Sequence, residues 1–287
     1  MFEILIAIGI LGGLGMGFGL VLAAASKVFY VETDSRLEAL NECLPGANCG
    51  GCGYAGCSAY AEAVLAGEAP VGKCASGGNE CAQAMGAIMG IKAEIVTRKV
   101  ALVRCSGHKT YDESGQQIGG ARIKGIYEGF KSCLAASKVG GNGPLSCKYG
   151  CLGYGSCTKA CKYDAIHIVD GIAQVDVDKC VGCGVCANVC PRKLITFVEY
   201  GTDVIIACNS NAKGAVTARS CTAGCIGCGL CQKICPQEAI TVTKGLAAID
   251  YTKCNSCGLC ATVCPKHLIA DARIKNDEDP IPAPNKV

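Results

Sequence analysis

The sequence predicts an α+β chain of small metal-dependent modules behind an N-terminal apolar helix. Three observations predict it. Twenty-six of 287 residues are cysteine. Residues 4–26, ILIAIGILGGLGMGFGLVLAAAS, carry no charge. A cysteine-strand unit recurs four times, as two pairs, between residues 147 and 270.

Such cysteine density means disulfides or metal sites. Disulfide scaffolds are short secreted chains, and this one is long. Three histidines are too few to share ligand duty in many zinc sites. There is no tryptophan and little other aromatic mass. A metal framework must therefore do part of the work of a core.

In chain order, residues 1–30 read as a transmembrane anchor. The uncharged run is long enough to cross a bilayer as a helix, and Met-Phe-Glu lacks the positive start of a secretory signal. Lys27, Phe29 and Tyr30 suit the far interface and put the body on the cytoplasmic side. Gly9, Gly13 and Gly17, with Gly15 and Gly19 beside them, form small-residue stripes on which a partner helix packs. Residues 31–91 read as a helical domain carrying the first cysteine group. Residues 92–146 and 203–221 form a connecting domain with two similar strands, VALVRC and DVIIAC, expected to pair in one small sheet. Residues 147–202 and 222–270 are the paired modules. The polar, proline-rich tail 271–287 reads as disordered.

Three groups have the spacing C-x2-C-x2-C-x3-C-P: Cys180, Cys183, Cys186, Cys190; Cys225, Cys228, Cys231, Cys235; and Cys254, Cys257, Cys260, Cys264. This is the run of bacterial two-cluster ferredoxins, whose fourth cysteine ligates the other cluster of the pair. Crossing gives one [4Fe-4S] site from Cys225, Cys228, Cys231 and Cys264, and its neighbour from Cys254, Cys257, Cys260 and Cys235. In the first pair, Cys180, Cys183 and Cys186 take Cys161. The degenerate run Cys147, Cys151, Cys157 is expected to take Cys190. Near the N-terminus, LPGANCGGCGYAGC supplies Cys49, Cys52 and Cys57, and Cys74 closes a local site. Zinc would want paired C-x2-C knuckles, which intact ferredoxin runs are not.

Five sites use twenty cysteines. Cys43 and Cys81 are expected as small buried thiols. Cys105 and Cys208 end the two similar strands, and Cys133 and Cys221 follow them downstream. Two matching pairs of thiols suit a sixth [4Fe-4S] site, with a ferredoxin pair inserted between its halves. The formal charge is +3 with thiols counted neutral. Six ligated clusters add roughly −12, so a basic surface for nucleic acid is not expected.

The order of these parts resembles the B subunit of the Rnf complex, the membrane-bound, ion-translocating ferredoxin–NAD oxidoreductase. The resemblance covers nearly the whole chain; a shorter form of that family has one ferredoxin pair, and this chain has two. It implies a membrane-anchored electron-transfer subunit that takes electrons from reduced ferredoxin. Partner subunits, some integral to the cytoplasmic membrane, would hold flavins, the NAD site and the ion path. A polyferredoxin subunit of another membrane reductase is the alternative. The sequence contains no Walker loop, no G-x-G-x-x-G fingerprint and no nucleophile with a base. His108, His167 and His267 read as ordinary surface or strand residues.

Overall fold

A computed structural model describes residues 2–28 and 34–271, with the side chains of residues 2–5, 7–10 and 28 outside that description. Helix α1 runs Phe2–Val28, with Lys27 in its last turn. At 1.5 Å per residue it is about 40 Å long. Its described apolar side chains, such as Leu14, Phe18 and Leu20, are exposed. Among the described residues no helix is long and apolar enough to cross a membrane, and the apolar run of α1 extends into the side chains not described. Phe29, Tyr30 and residues 272–287 also lie outside the described residues.

Helices α2 (Ser35–Glu42), α3 (Cys57–Leu65) and α4 (Gly78–Met89) form the next unit. Asp34 caps α2 by accepting the Arg36 amide. Gly90 ends α4 in the left-handed conformation that glycine adopts freely. The three helices close on Leu40, Tyr60, Val64 and Met85, all nearly or fully buried.

The remaining elements come in two similar series. The first is β1 (Lys99–Val103), α5 (Cys133–Lys138), α6 (Ser156–Ala160), β2 (Ile166–Val169), β3 (Ile172–Val175), α7 (Val185–Val189) and β4 (Ile195–Glu199). The second is β5 (Val204–Ile206), α8 (Gly214–Ser220), α9 (Leu230–Ile234), β6 (Ile240–Thr243), β7 (Leu246–Ile249), α10 (Leu259–Thr262) and β8 (Ile269–Asp271). In each series a hairpin, β2–β3 or β6–β7, forms the middle of a ferredoxin-type module. Its two turn residues, Asp170-Gly171 or Lys244-Gly245, all have positive φ, as a hairpin turn matched to strand twist requires.

The two lone-thiol strands do not pair with each other. β1 pairs antiparallel with β4, from Lys99 opposite Glu199 to Val103 opposite Ile195. β5 pairs with β8, Val204 opposite Asp271. Each strand therefore completes the module that follows it in sequence. The reason is burial: Val100 to Val103 enter one core with Ile166, Ile172 and Ile195, while Val204 and Ile206 enter another with Ile240 and Ile269. Asp271 belongs to a strand and not to the tail. A fourth cluster, Ala121, Cys133, Ala136, Leu145, Cys147, Leu152 and Cys221, lies under the connecting segment.

Candidate iron–sulfur sites

The repeat unit has one backbone pattern, used four times. Two residues after the first thiol, φ is positive: Gly153, Gly182, Gly227 and Ser256. Two residues before the third thiol a left-handed glycine starts a short helix: Gly155, Gly184, Gly229 and Gly258. Three residues after the fourth thiol φ is positive again: Asp164, Lys193, Glu238 and His267. That last turn swings the next amide back onto sulfur. The Ala165 N–H donates to Cys161 Sγ at 3.4 Å, Leu194 to Cys190 at 3.5 Å and Ala239 to Cys235 at 3.4 Å. Amide donors of this kind suit a thiolate.

A cavity in the second module is lined by Cys225, Cys228 and Cys231 from one run and Cys264 from the other. Val242, Ala247, Leu268 and Ile269 give it apolar walls, with Lys266 beside them. The neighbouring Cys260 thiol is pushed up to about 11, by burial first and then by Cys231, Cys254 and Cys257 around it. In the first module burial, followed by Cys180, Cys183 and Cys157, raises Cys186 to about 12. Cys183 is raised by burial, with Cys49, Cys161 and Cys180 adding to it. Cys161 is thus near the run that follows it, as crossing requires.

A further cavity is lined by Cys133, Cys151, Cys157 and Cys190. Cys147, expected in this set, is not among its lining residues, and Cys133 stands there instead. Burial, then Cys151 and Cys133, pushes Cys157 to about 11. The Cys133 amide donates to Ser156 Oγ at 2.9 Å, beside Cys157.

Near the N-terminus, Cys49, Cys52, Cys57 and Cys74 line one cavity together with Tyr60 and Ser76. Gly56 offers α3 no side-chain cap, and Asn48 Oδ1 accepts the Cys57 amide at 2.8 Å instead. The Tyr60 hydroxyl donates to Pro70 O at 2.6 Å and accepts from the Lys73 amide at 3.1 Å. This holds the return loop that brings Cys74 back. Buried Cys81 sits beside Cys74; its thiol hydrogen bond holds Cys74 below the usual range. Cys183 reaches the same cavity, and Tyr163 hydrogen-bonds Ser76 across the boundary at 2.7 Å.

Cys221 lies near Cys105, Cys147 and Cys208. The Ser106 hydroxyl donates to Ala207 O at 3.0 Å and Ala223 O at 3.3 Å. Ala121 pairs with Cys221 in an isolated antiparallel bridge. His108 is buried, not at the surface, and its Nδ1 lacks a hydrogen-bond partner. It lies 3.9 Å from an Asp170 carboxylate oxygen.

All 26 thiols are free. Cys157, Cys186 and Cys260 would be expensive as bare thiolates, because burial raises them. Iron compensates that charge, so buried, amide-contacted sulfurs in apolar cavities fit [4Fe-4S] clusters. Sulfurs around one zinc lie about 4 Å apart, given Zn–S bonds of about 2.3 Å. Among the described residues no three of His, Cys, Asp or Glu close on a single ion.

Comparison with known proteins agrees with this chemistry. Residues 44–76 match a family described as "Putative Fe-S cluster", 173–196 a "4Fe-4S binding domain" and 224–268 a "4Fe-4S dicluster domain". The chain is 44% identical over 88% of its length to the B subunit of the Na(+)-translocating ferredoxin:NAD(+) oxidoreductase complex of Acetobacterium woodii, covering 73% of that protein. It is 38% identical over 84% of its length to the B subunit of the complex of Clostridium ljungdahlii named as proton-translocating, covering 82% of that protein. The B subunit of an ion-translocating oxidoreductase complex from Methanosarcina acetivorans is 38% identical over 86% of the chain, with 90% of that protein covered.

Proposed function

The chain belongs to the B-subunit family of ion-translocating ferredoxin:NAD(+) oxidoreductase complexes, and from that premise we propose how its residues carry electrons. It is an iron–sulfur electron-transfer subunit. Bound [4Fe-4S] clusters supply one-electron storage at low potential. The protein's part is to hold them in file, exclude water and tune them with amide donors to sulfur.

Cys49, Cys52, Cys57 and Cys74 bind the N-terminal cluster. Cys180, Cys183 and Cys186 take Cys161; Cys225, Cys228 and Cys231 take Cys264; Cys254, Cys257 and Cys260 take Cys235. The observation that carries this reading is the cavity in which Cys264 joins the three thiols of the other run. With the sets around Cys151 and Cys208, the count is six.

Reduced ferredoxin is the donor. Cys228 and Cys257 are the exposed thiols of the chain, and the donor docks beside them at the second module. Helix α1 anchors the opposite end: residues 4–26 are uncharged, and Lys27 follows at the cytoplasmic face. On this reading the chain divides into anchor 1–30, N-terminal unit 31–91, ferredoxin-type pairs 147–202 and 222–270 with β1 and β5 added to them, and a connecting segment between.

Ferredoxin-dependent NAD reduction in membranes that contain or lack this subunit tests the reading. Activity is expected to vanish without the chain and return with it. Full activity without it would overturn the proposal.

A further inference from the structure

The geometry points to an exchange of ligands between two of the clusters. Cys133, Cys151, Cys157 and Cys190 hold one, and Cys105, Cys147, Cys208 and Cys221 hold another that joins the two modules. The inference rests on the cluster reading above and goes beyond it, since spacing alone puts Cys147 in the first set and Cys133 in the second.

Backbone register decides which cysteine begins the degenerate run. Gly153 has φ +77, Gly182 +67, Gly227 +67 and Ser256 +55. Each follows its first thiol by two residues, so Cys151 aligns with Cys180, Cys225 and Cys254. The third thiols, Cys157, Cys186, Cys231 and Cys260, then also align, each two residues after a left-handed glycine. The middle position, Cys183, Cys228 or Cys257 elsewhere, falls here on Tyr154. Tyr154 cannot ligate iron in a thiolate set; it packs edge-on against Tyr127 at 5.3 Å. The degenerate run therefore lacks its middle thiol. Cys133 at the start of α5 supplies it, lining the cavity with Cys151, Cys157 and Cys190.

The same register frees Cys147. It precedes Cys151 by four residues, as Cys221 precedes Cys225 by four. The two are equivalent positions of the two series, as Cys105 and Cys208 are. Cys105, Cys147 and Cys221 converge around Ala121, and Cys208 lies beside Cys221. A methyl built on Gly107 would lie 3.1 Å from Ala121 Cβ and 3.5 Å from Cys105 Sγ. One built on Gly150 would lie 3.5 Å from Cys147 Sγ and 3.8 Å from Ala121 Cβ. Cys221 is the bridge partner of Ala121, and Ser106 ties Cys105 to the carbonyl before Cys208. Arg192 donates to the Cys147 carbonyl at 3.0 Å and to that of Gly150, fixing this loop.

Two hydrogen bonds give the joined site its place. Cys105 Sγ accepts the amide of Cys151 at 3.3 Å, and Cys208 Sγ accepts the amide of Cys225 at 3.4 Å. The joined site thus touches a first-position thiol residue of each module, and does so by the same contact on both sides.

Iron per chain in alanine variants of the full-length, anaerobically purified protein tests this by additivity. Cys147→Ala and Cys221→Ala should each lose about four iron atoms, and the double variant should still lose about four, because one cubane is involved. Cys133→Ala with Cys221→Ala should lose about eight. The reverse pattern, about eight for the first pair and about four for the second, would overturn the exchange. Iron unchanged in every variant, Cys225→Ala included, would reject the clusters altogether. Tyr154→Cys gives an arm that does not depend on loss. It should restore about four iron atoms to Cys133→Ala; restoration of Cys147→Ala instead would overturn the assignment.

Discussion

Tyr60 shows how one side chain serves a cluster it does not ligate. Its ring is fully buried among α2, α3 and α4, and its hydroxyl pairs with Pro70 O and the Lys73 amide. Burial pushes the phenol up to about 12, so it stays a neutral donor. Tyr60→Phe leaves both backbone groups without this partner at a cost of about 1–3 kcal/mol. The expected result is a lower melting temperature and an N-terminal cluster that chelators remove faster, with the ferredoxin-type clusters unchanged. His108 works through pH. Burial lowers its pKa, with Asp170 opposing. The unfolded chain therefore binds the proton more readily, and the contribution of neutral His108 is present above the unfolded value of about 6.5 and lost as pH falls below it. Denaturation between pH 7.5 and 5.5 should show stability falling more steeply in the wild type than in His108→Gln.

At the scale of the element, left-handed turns shape every cluster loop. Three of the four repeats use glycine two residues after the first thiol, and the fourth uses Ser256 at φ +55. A non-glycine residue there costs about 1–2 kcal/mol. Ser256→Gly should raise the melting temperature modestly and leave iron content unchanged. Gly227→Ser should destabilise more, since a Cβ on Gly227 would sit 2.7 Å from Gly245 Cα. What was legible in the sequence follows the same division. Intact runs and the hairpin repeats are local, and spacing alone reveals them. The partners of β1 and β5 are not, because apolar strands fit any open edge and only burial against Ile195 or Ile269 chooses one. Cys133 was hidden because it reaches its cavity from a separate helix. The missing middle thiol at Tyr154 was the one sequence signal that could have found it.

Across the whole molecule the contacts describe a single file. The N-terminal site meets the Cys183 set: a Cβ on Gly51 would overlap the Cys183 carbonyl. Cys186 neighbours Cys157. Cys151 donates to Cys105, and Cys225 to Cys208. Cys231 neighbours Cys260. Gly51→Ala should force the N-terminal unit away from the first module. The expected outcome is full iron content with slower reduction of the N-terminal cluster, followed by freeze-quench EPR; an unchanged rate would separate this contact from electron flow.

The central claim is that this chain takes electrons from ferredoxin onto six clusters in one conducting series. Anaerobic titration of the full-length protein with reduced ferredoxin tests it most directly. Uptake of about six electrons per chain, with about 24 iron atoms bound, is the expected result. A fully iron-loaded protein that ferredoxin leaves oxidised would contradict it.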